Sequence, residues 1–377
     1  MRLYSGNDID NIPWPKTIDG KYAKDYFRPL LLNGTSYYIK NVKSEIYMLI
    51  FNNKVIPITI ANPKLDNCYV CSPFDHYTTY AKDELKEIKN PFIKKTLATS
   101  IYLLAIFLRV TKINNAVYVN NWFLSTNLYP ELTQNDINHI TRFLKNKFPD
   151  KVILFRSINK KTTGKIYTNL TKSDYKMIVS RQVYITDPKL PHYKKKKDYK
   201  SDYNLRSKSN YKLYSVDSMN KFNSNRILDL YNDLYINKHS RLNPQFTVSF
   251  IQSCIDKQLL TIKPIVSNGK TDAVMGYFSR NNIMTTPLFG YDSTVSKKEG
   301  LYRLLSSYLV SESEEKKLIL NQSSGASKFK RTRGATPVIE YTAFYDQHVC
   351  FIQRIGWRIL RLLLNGIGVP LLKKLKL

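Results

Sequence analysis

The same order of elements is spelled twice along this chain, and that repetition narrows its fold more than any other feature. In the first pass, short apolar runs at residues 37–42, 47–51 and 55–60 read as strands. Asn52-Asn53-Lys54 lies between the last two as a hairpin turn. A helix is predicted over 92–110, a strand over 116–119, a helix from Thr133 to Lys147 and a strand over 152–155. Thr133, with Asp136 three residues on, is a capping pair, and the helix stops before Pro149. In the second pass, an amphipathic helix over 225–237 precedes strands at 259–266 and 273–279, joined through Asn268-Gly269. A strand at 283–289, a helix at 300–312, a strand at 317–320, a short basic helix at 325–333 and a strand at 337–345 complete it. The letters do not repeat; the order does. Strands, helix, strand, helix, strand, twice in 377 residues, predicts two related domains that mix helix and strand, α/β or α+β in class.

Residues 194–212 separate the two passes. Lys194 to Lys197 are four consecutive lysines, and Ser, Asp, Asn and Tyr dominate the remainder of that stretch. Such a composition has little to bury, so a solvated linker is expected, with a polyanion contact as its alternative use. The expected division is therefore a domain over 1–193, a basic linker over 194–212, a domain over 213–347 and a tail over 348–377.

The charge balance points outward from the fold. There are 59 Lys and Arg against 29 Asp and Glu, a net charge of +30. A surface of that sign draws polyanions, whether nucleic acid, anionic lipid or phosphorylated small molecules. A coding bias toward Lys, Asn, Ile and Tyr is the alternative source. With 43% hydrophobic residues, wholesale disorder is excluded.

Four cysteines do not make a disulfide framework. Cys68 and Cys71 form a C-x-x-C with His76 nearby, but Cys254 and Cys350 are remote, so packed thiols are expected on a strand and no metal. Residues 1–10 contain no apolar run of the secretory kind. Residues 101–108 are apolar but far short of the roughly 20 needed to span a bilayer, and a buried helix is expected there. The cytoplasm is the expected compartment. The tail is a candidate peripheral anchor: Arg354, Arg358 and Arg361 make one stripe, Ile352, Ile355, Ile359 and Leu362 another, and Lys373, Lys374 and Lys376 close a stretch without acidic residues from His348 on. That pattern suits a helix lying in an anionic membrane surface; a helix packed on the domain is the alternative.

The stretch that carries chemistry is Asn321-Gln322-Ser323-Ser324-Gly325-Ala326-Ser327-Lys328-Phe329-Lys330-Arg331-Thr332-Arg333-Gly334. It comes after a short apolar strand and opens a helix. Small residues there admit a ligand to the backbone. Backbone N–H groups near Ser323, Ser324 and Gly325 suit a developing oxyanion, and Lys328, Lys330, Arg331 and Arg333 suit a phosphate-bearing donor.

With these residues the second half resembles the FemAB-type branch of the GNAT acyltransferase superfamily, over about residues 259–345. The resemblance rests on Pro287-Leu288-Phe289-Gly290-Tyr291-Asp292, on Gly300-Leu301-Tyr302-Arg303-Leu304-Leu305, and on the Ser-Gly-Ala-x-x-Phe-Lys-x-x-x-Gly run from Ser324 to Gly334. It implies two GNAT-like domains in one chain, each a mixed, mostly antiparallel sheet flanked by helices. It implies transfer of an acyl group to an amine, with the donor lying where the third and fourth main strands splay apart. The implied donor is an acyl thioester such as acyl-CoA, or an aminoacyl-tRNA. Donor phosphates would meet Lys297, Lys298 and Gly300, where the family's glycine-rich loop stands. The family's frequent tyrosine acid is matched by Phe329, so Asp292, as base, and Tyr291 and Tyr341 are the substitutes. A protein that keeps the fold and binds nucleic acid or membrane without catalysis is the alternative from another class.

Overall fold

The computed structural model describes residues 1–61, 68–215 and 223–368. Twelve strands run along them: β1 (Arg2–Tyr4), β2 (Ser44–Phe51), β3 (Lys54–Ala61), β4 (Ala116–Val119), β5 (Val152–Ile158), β6 (Lys176–Thr186), β7 (Lys212–Leu213), β8 (Thr261–Ser267), β9 (Lys270–Arg280), β10 (Ile283–Tyr291), β11 (Ile319–Asn321) and β12 (Thr336–Tyr345). The α-helices are α1 (Ile18–Asn33), α2 (Tyr80–Glu84), α3 (Pro91–Val110), α4 (Gln134–Lys147), α5 (Gly164–Lys172), α6 (Lys197–Lys208), α7 (Ser224–Asn232), α8 (Val248–Asp256), α9 (Leu301–Glu315), α10 (Ser327–Thr332) and α11 (Phe351–Leu363).

Two compact units emerge. The first holds Met1–Ser180, Ser240–Gln245 and the described residues from Glu340 on; the second holds Arg181–His239 and Phe246–Ile339. The expected sequential division is therefore not how the contacts group: the boundary falls inside β6 and β12, and the tail's described part returns to the first unit. Lys373, Lys374 and Lys376 lie outside the described residues.

In the first unit the strand order is β1-β2-β3-β4-β5-β12, and in the second β7-β8-β9-β10-β11-β6. Each order contains one parallel pair, β4 with β5 and β10 with β11. The neighbouring pairs in each order are antiparallel. The repeated order thus becomes repeated topology, a mixed and mostly antiparallel sheet in each unit. One feature was invisible in the sequence. The sixth strand of each unit is supplied by the chain leaving the other repeat: Tyr341–Tyr345 of β12 pair with β5, and Ile185 and Thr186 of β6 pair with β11.

Local chemistry explains the turns. Asn52 (φ 46°) and Asn53 (φ 59°) sit in the left-handed region that a tight hairpin demands, as do Asn268 (φ 49°) and Gly269 (φ 74°). The capping pair closes: Thr133 Oγ1 accepts the Asp136 N–H at 3.1 Å, and the Asp136 carboxylate accepts the Thr133 N–H at 3.1 Å. Along β5 the side chains alternate between two cores. Ile153 and Phe155 join the cluster under α4 and α5, and Val152 and Leu154 join the one with Trp357 and Leu360.

Three expectations are corrected. Residues 68–71 form turns and not a strand, with Cys68 and Cys71 both buried and their thiols pushed up by burial. Helix α3 forms as expected but is not a buried helix: Leu108 alone among its residues is fully buried. The lysine-rich linker is largely helical, as α6. Its anchor is Asp202, 2% exposed, which accepts hydrogen bonds from Arg303 (Nε, 2.6 Å) and from Arg333 (Nε, and Nη2 at 3.1 Å). A single buried acid holding two guanidinium groups overrides a composition that has almost no apolar face to bury. Asp202→Ala is expected to speed amide hydrogen exchange across residues 197–208 by at least tenfold. It should lower overall stability by about 2 kcal/mol, since it strands two cations.

Candidate active site

The site is built where the second unit's parallel pair ends. β10 and β11 are in register at Ile283↔Ile319, Met284↔Leu320 and Thr285↔Asn321, and the pairing stops there. β10 runs on to Tyr291 with β9 alone, across a register shift between Thr285 and Leu288 that coincides with Pro287, a residue without an N–H for the ladder. The chain leaving β11 stays with β6, its partner on the other edge. Gln322 N–H donates to the Tyr184 carbonyl (2.9 Å), and Tyr184 N–H donates to the Ser323 carbonyl (3.2 Å). The two parallel strands therefore part, as the resemblance implied.

Three buried polar atoms stand at this fork without a hydrogen-bond partner among the described residues: Thr285 Oγ1, Thr286 Oγ1 and Asn321 Nδ2. Thr285 and Asn321 are each 1% exposed. Asn321 Oδ1 accepts the Ser323 N–H at 2.9 Å, so the unused end of this amide is the donor. Each such orphan costs about 1–3 kcal/mol. Thr285 and Asn321 are register partners at the last step of the parallel pair, and Thr286 follows directly on β10, so the end of the pairing carries polar groups that the fold itself does not use.

The corresponding fork in the first unit is closed. There the β4–β5 register ends at Val119↔Phe155. Asn121 just beyond it is saturated: Nδ2 donates to Thr59 Oγ1 (3.0 Å) and the Val70 carbonyl (3.1 Å), while Oδ1 accepts from Arg156 Nη1 (3.2 Å). The buried Arg156 guanidinium occupies that fork, also donating to the Val70 carbonyl at 2.9 Å.

The serine–glycine bend is stapled from inside. Lys330, 7% exposed, donates from Nζ to the carbonyls of Gln322 (2.6 Å), Ser323 (3.3 Å) and Ser324 (2.8 Å). Ser323 (φ 58°), Gly325 (φ 77°) and Ala326 (φ 46°) all take left-handed backbone to bring those carbonyls around one ammonium. Lys330 is thus spent on the bend and not on a donor phosphate, and the Ser323 N–H is spent on Asn321. Arg333 lies over the Phe329 ring, 3.4 Å from its centroid, and serves α6. Arg331 stands 6.0 Å from the Tyr184 ring. Lys328 and Gly325 are exposed on the outer side. Ser324 is half-buried.

The expected base is also committed elsewhere. Asp292 accepts from Thr294 (Oγ1 2.5 Å, N 2.9 Å), Arg226 (2.6 Å) and Lys270 (3.3 Å). The Thr294 hydroxyl first, then the Arg226 guanidinium, hold its carboxyl well below the usual carboxylate range, which makes it a poor proton acceptor. Tyr341 belongs to the first unit, where its ring meets Tyr167 at 5.8 Å, and Asp292 and Tyr291 belong to the second. Tyr291 does reach the site's wall. Its ring and that of Phe329 both pack edge-on against Tyr302 of α9, at 5.9 and 4.7 Å. Tyr302 was missed by sequence reasoning. Its hydroxyl makes no hydrogen bond among the described residues, and burial pushes its pKa up to about 12. Gly300 (φ 65°) starts α9, and a Cβ there would come within 2.8 Å of Leu205. Lys297 and Lys298, just before it, are exposed.

Burial lowers the Lys330 ammonium to about 7, with Arg181 adding to the effect. An unfolded chain keeps that proton up to about pH 10.4. Between the two values the unfolded state binds more protons, so stability rises with pH over that window. In Lys330→Met this rise should be absent, read as the difference between the two proteins' melting temperatures from about pH 7 to 10.

No family model matches the sequence, and no curated protein does. Among solved structures, FemX superposes with a TM-score of 0.51 at 7% identity, covering 96% of this chain and all of FemX (100%). The L-PGS of Bacillus licheniformis gives 0.44 at 16% identity, over 60% of this chain and 78% of that one. The C-terminal domain of a putative lysylphosphatidylglycerol synthetase from Agrobacterium fabrum gives 0.46 at 10%, over 69% and 91%. The likeness to FemX extends along nearly the whole chain and is one of fold: this protein shares the fold of FemX.

Proposed function

We propose that the protein is an acyltransferase that joins an acyl or aminoacyl group to an amine at the fork between β10 and β11. The observation that carries this reading is the orphaned trio of Thr285, Thr286 and Asn321. In an attack on a carbonyl, the amine nitrogen bonds to the carbonyl carbon and the oxygen gains charge; on collapse the C–S or C–O bond to the leaving group breaks, the nitrogen loses a proton, and the leaving sulfur or oxygen gains one. Asn321 Nδ2 is a donor for the oxyanion. The threonine hydroxyls accept from the incoming N–H and orient its lone pair. Tyr302, kept protonated by its surroundings, gives its proton to the leaving group and is restored by the proton that the attacking nitrogen loses. Ser324 and Gly325 line the outer rim. Asp292 and Tyr291 act by holding the end of β10 and the wall beside it.

Two donors fit this chemistry, an acyl-CoA thioester and an aminoacyl-tRNA. The exposed Lys297 and Lys298 and the net charge of +30 favour the tRNA, since a flexible cationic surface suits a phosphate backbone better than a single pyrophosphate. If tRNA is the donor, binding falls with salt at a log–log slope of about −0.7 per single-strand phosphate contact. Filter binding over a salt series reads that slope, and a flat line together with an acyl-CoA-induced rise in melting temperature assigns the thioester instead.

The trio makes a prediction in which stability and activity move oppositely. Thr285→Val removes an unpaired hydroxyl at constant shape, so the melting temperature should hold or rise. Asn321→Ala should lower kcat by about 10²–10³-fold, the loss typical of one oxyanion donor. Calorimetry with single-turnover transfer assays separates the two effects. A Thr285→Val protein that melts early and transfers normally contradicts this reading of the fork.

A further inference from the structure

Within the first unit, helices α3 and α11 present apolar faces to solvent. Eleven of the nineteen large apolar side chains exposed among the described residues lie on these two helices. On α3, Phe92 is 79% exposed, Tyr102 66%, Leu103 60% and Val110 69%; on α11, Phe351 is 73% and Leu362 69%. α3 is long and apolar enough to cross a membrane, yet only 6% of that stretch is buried. Both helices root in one core. Leu108 of α3 and Trp357 and Leu360 of α11 share a cluster with β4 and β5 side chains, and a Cβ on Gly356 would strike Thr111 at 2.4 Å. The two are therefore neighbours on one side of that unit's sheet, and each presents exposed apolar side chains.

The charges select the occupant. Neither helix contains an acidic residue, and their charged side chains are Lys94, Lys95 and Arg109 on α3 and Arg354, Arg358 and Arg361 on α11. A surface meant for a second copy of this chain would bring those cations face to face, whereas an anionic lipid surface complements them. Tyr102 and Phe92 supply the aromatic side chains that favour the headgroup boundary. We infer that α3 and α11 together seat the protein on an anionic bilayer, their apolar faces sunk among the acyl chains and their basic residues at the headgroups. The inference is independent of the transfer reaction, since it rests on the other unit.

The test is co-sedimentation of the full chain with vesicles of phosphatidylcholine containing 30% (about a third) phosphatidylglycerol, against phosphatidylcholine alone. The anionic vesicles should bind at least tenfold better. Leu103→Glu on α3 and Leu362→Glu on α11 should each weaken binding at least tenfold. Ile18→Glu, at a 91% exposed apolar residue elsewhere, should leave binding unchanged. All three sites are exposed, so circular dichroism should report an intact fold for each. Equal binding by wild type and both variants overturns the inference. So does a wild-type dimer that Leu103→Glu dissociates without any vesicle binding. Extraction with alkaline carbonate separates lying on the bilayer from crossing it: release supports the inference, and retention overturns it.

Discussion

β11 is a three-residue strand with β10 on one edge and β6 on the other, and past it the chain keeps only one of them. Three residues pair with β10, and then the peptide groups of Gln322 and Ser323 go to Tyr184 on β6 and to the Lys330 ammonium. Buried backbone groups must find partners. Once these carbonyls are taken, β10 continues without β11, and the gap results. Pro287 reinforces the outcome, since it offers no N–H at the point where pairing lapses. The bend, the left-handed residues and the buried lysine are one device that prises two strands apart and keeps them so.

The internal duplication supplies its own control. Both units build one parallel pair into an otherwise antiparallel set of strands, and both place an asparagine beside the place where it ends. In the first unit that asparagine is fully hydrogen-bonded and an arginine occupies the space. In the second it keeps an amide donor unspent, next to two threonines in the same condition. Folding alone favours the first arrangement. The second survives at a cost in stability, and a cost borne at one of two matching places is best understood as a requirement of use.

Much of this was legible in the sequence, and the residues show why. Asn52-Asn53 and Asn268-Gly269 declare their turns because few residues tolerate positive φ, and Thr133 with Asp136 declares a helix start because the bonds are local. The parting of the strands was implied by the resemblance carried by the Ser324–Gly334 run. What failed was long-range. Nothing near Asp202 announces that two arginines a hundred or more residues on will fix α6, so a lysine-rich stretch read as a loop. An apolar helix reads as buried because burial is the usual fate of such a face; α3 departs from it. Lys330 and Asp292 were read by type, a cation and an acid at a functional turn. Their partners, three carbonyls for one and a hydroxyl with two cations for the other, were set by tertiary structure. Thr285 and Thr286 left a faint signal, two hydroxyls ahead of a proline in an otherwise apolar strand.

The exchange of sixth strands bears on how the chain reaches this state. A ribosome delivering it from the amino terminus exposes β5 long before residues 341–345 exist to flank it, so the first unit stays incomplete until residue 345 has been made. A cut between the two passes accordingly leaves each piece without its sixth strand, although the order of elements looks like a simple doubling. Each half carries the closing edge of its sibling, which obliges both to be inherited, synthesised and lost together.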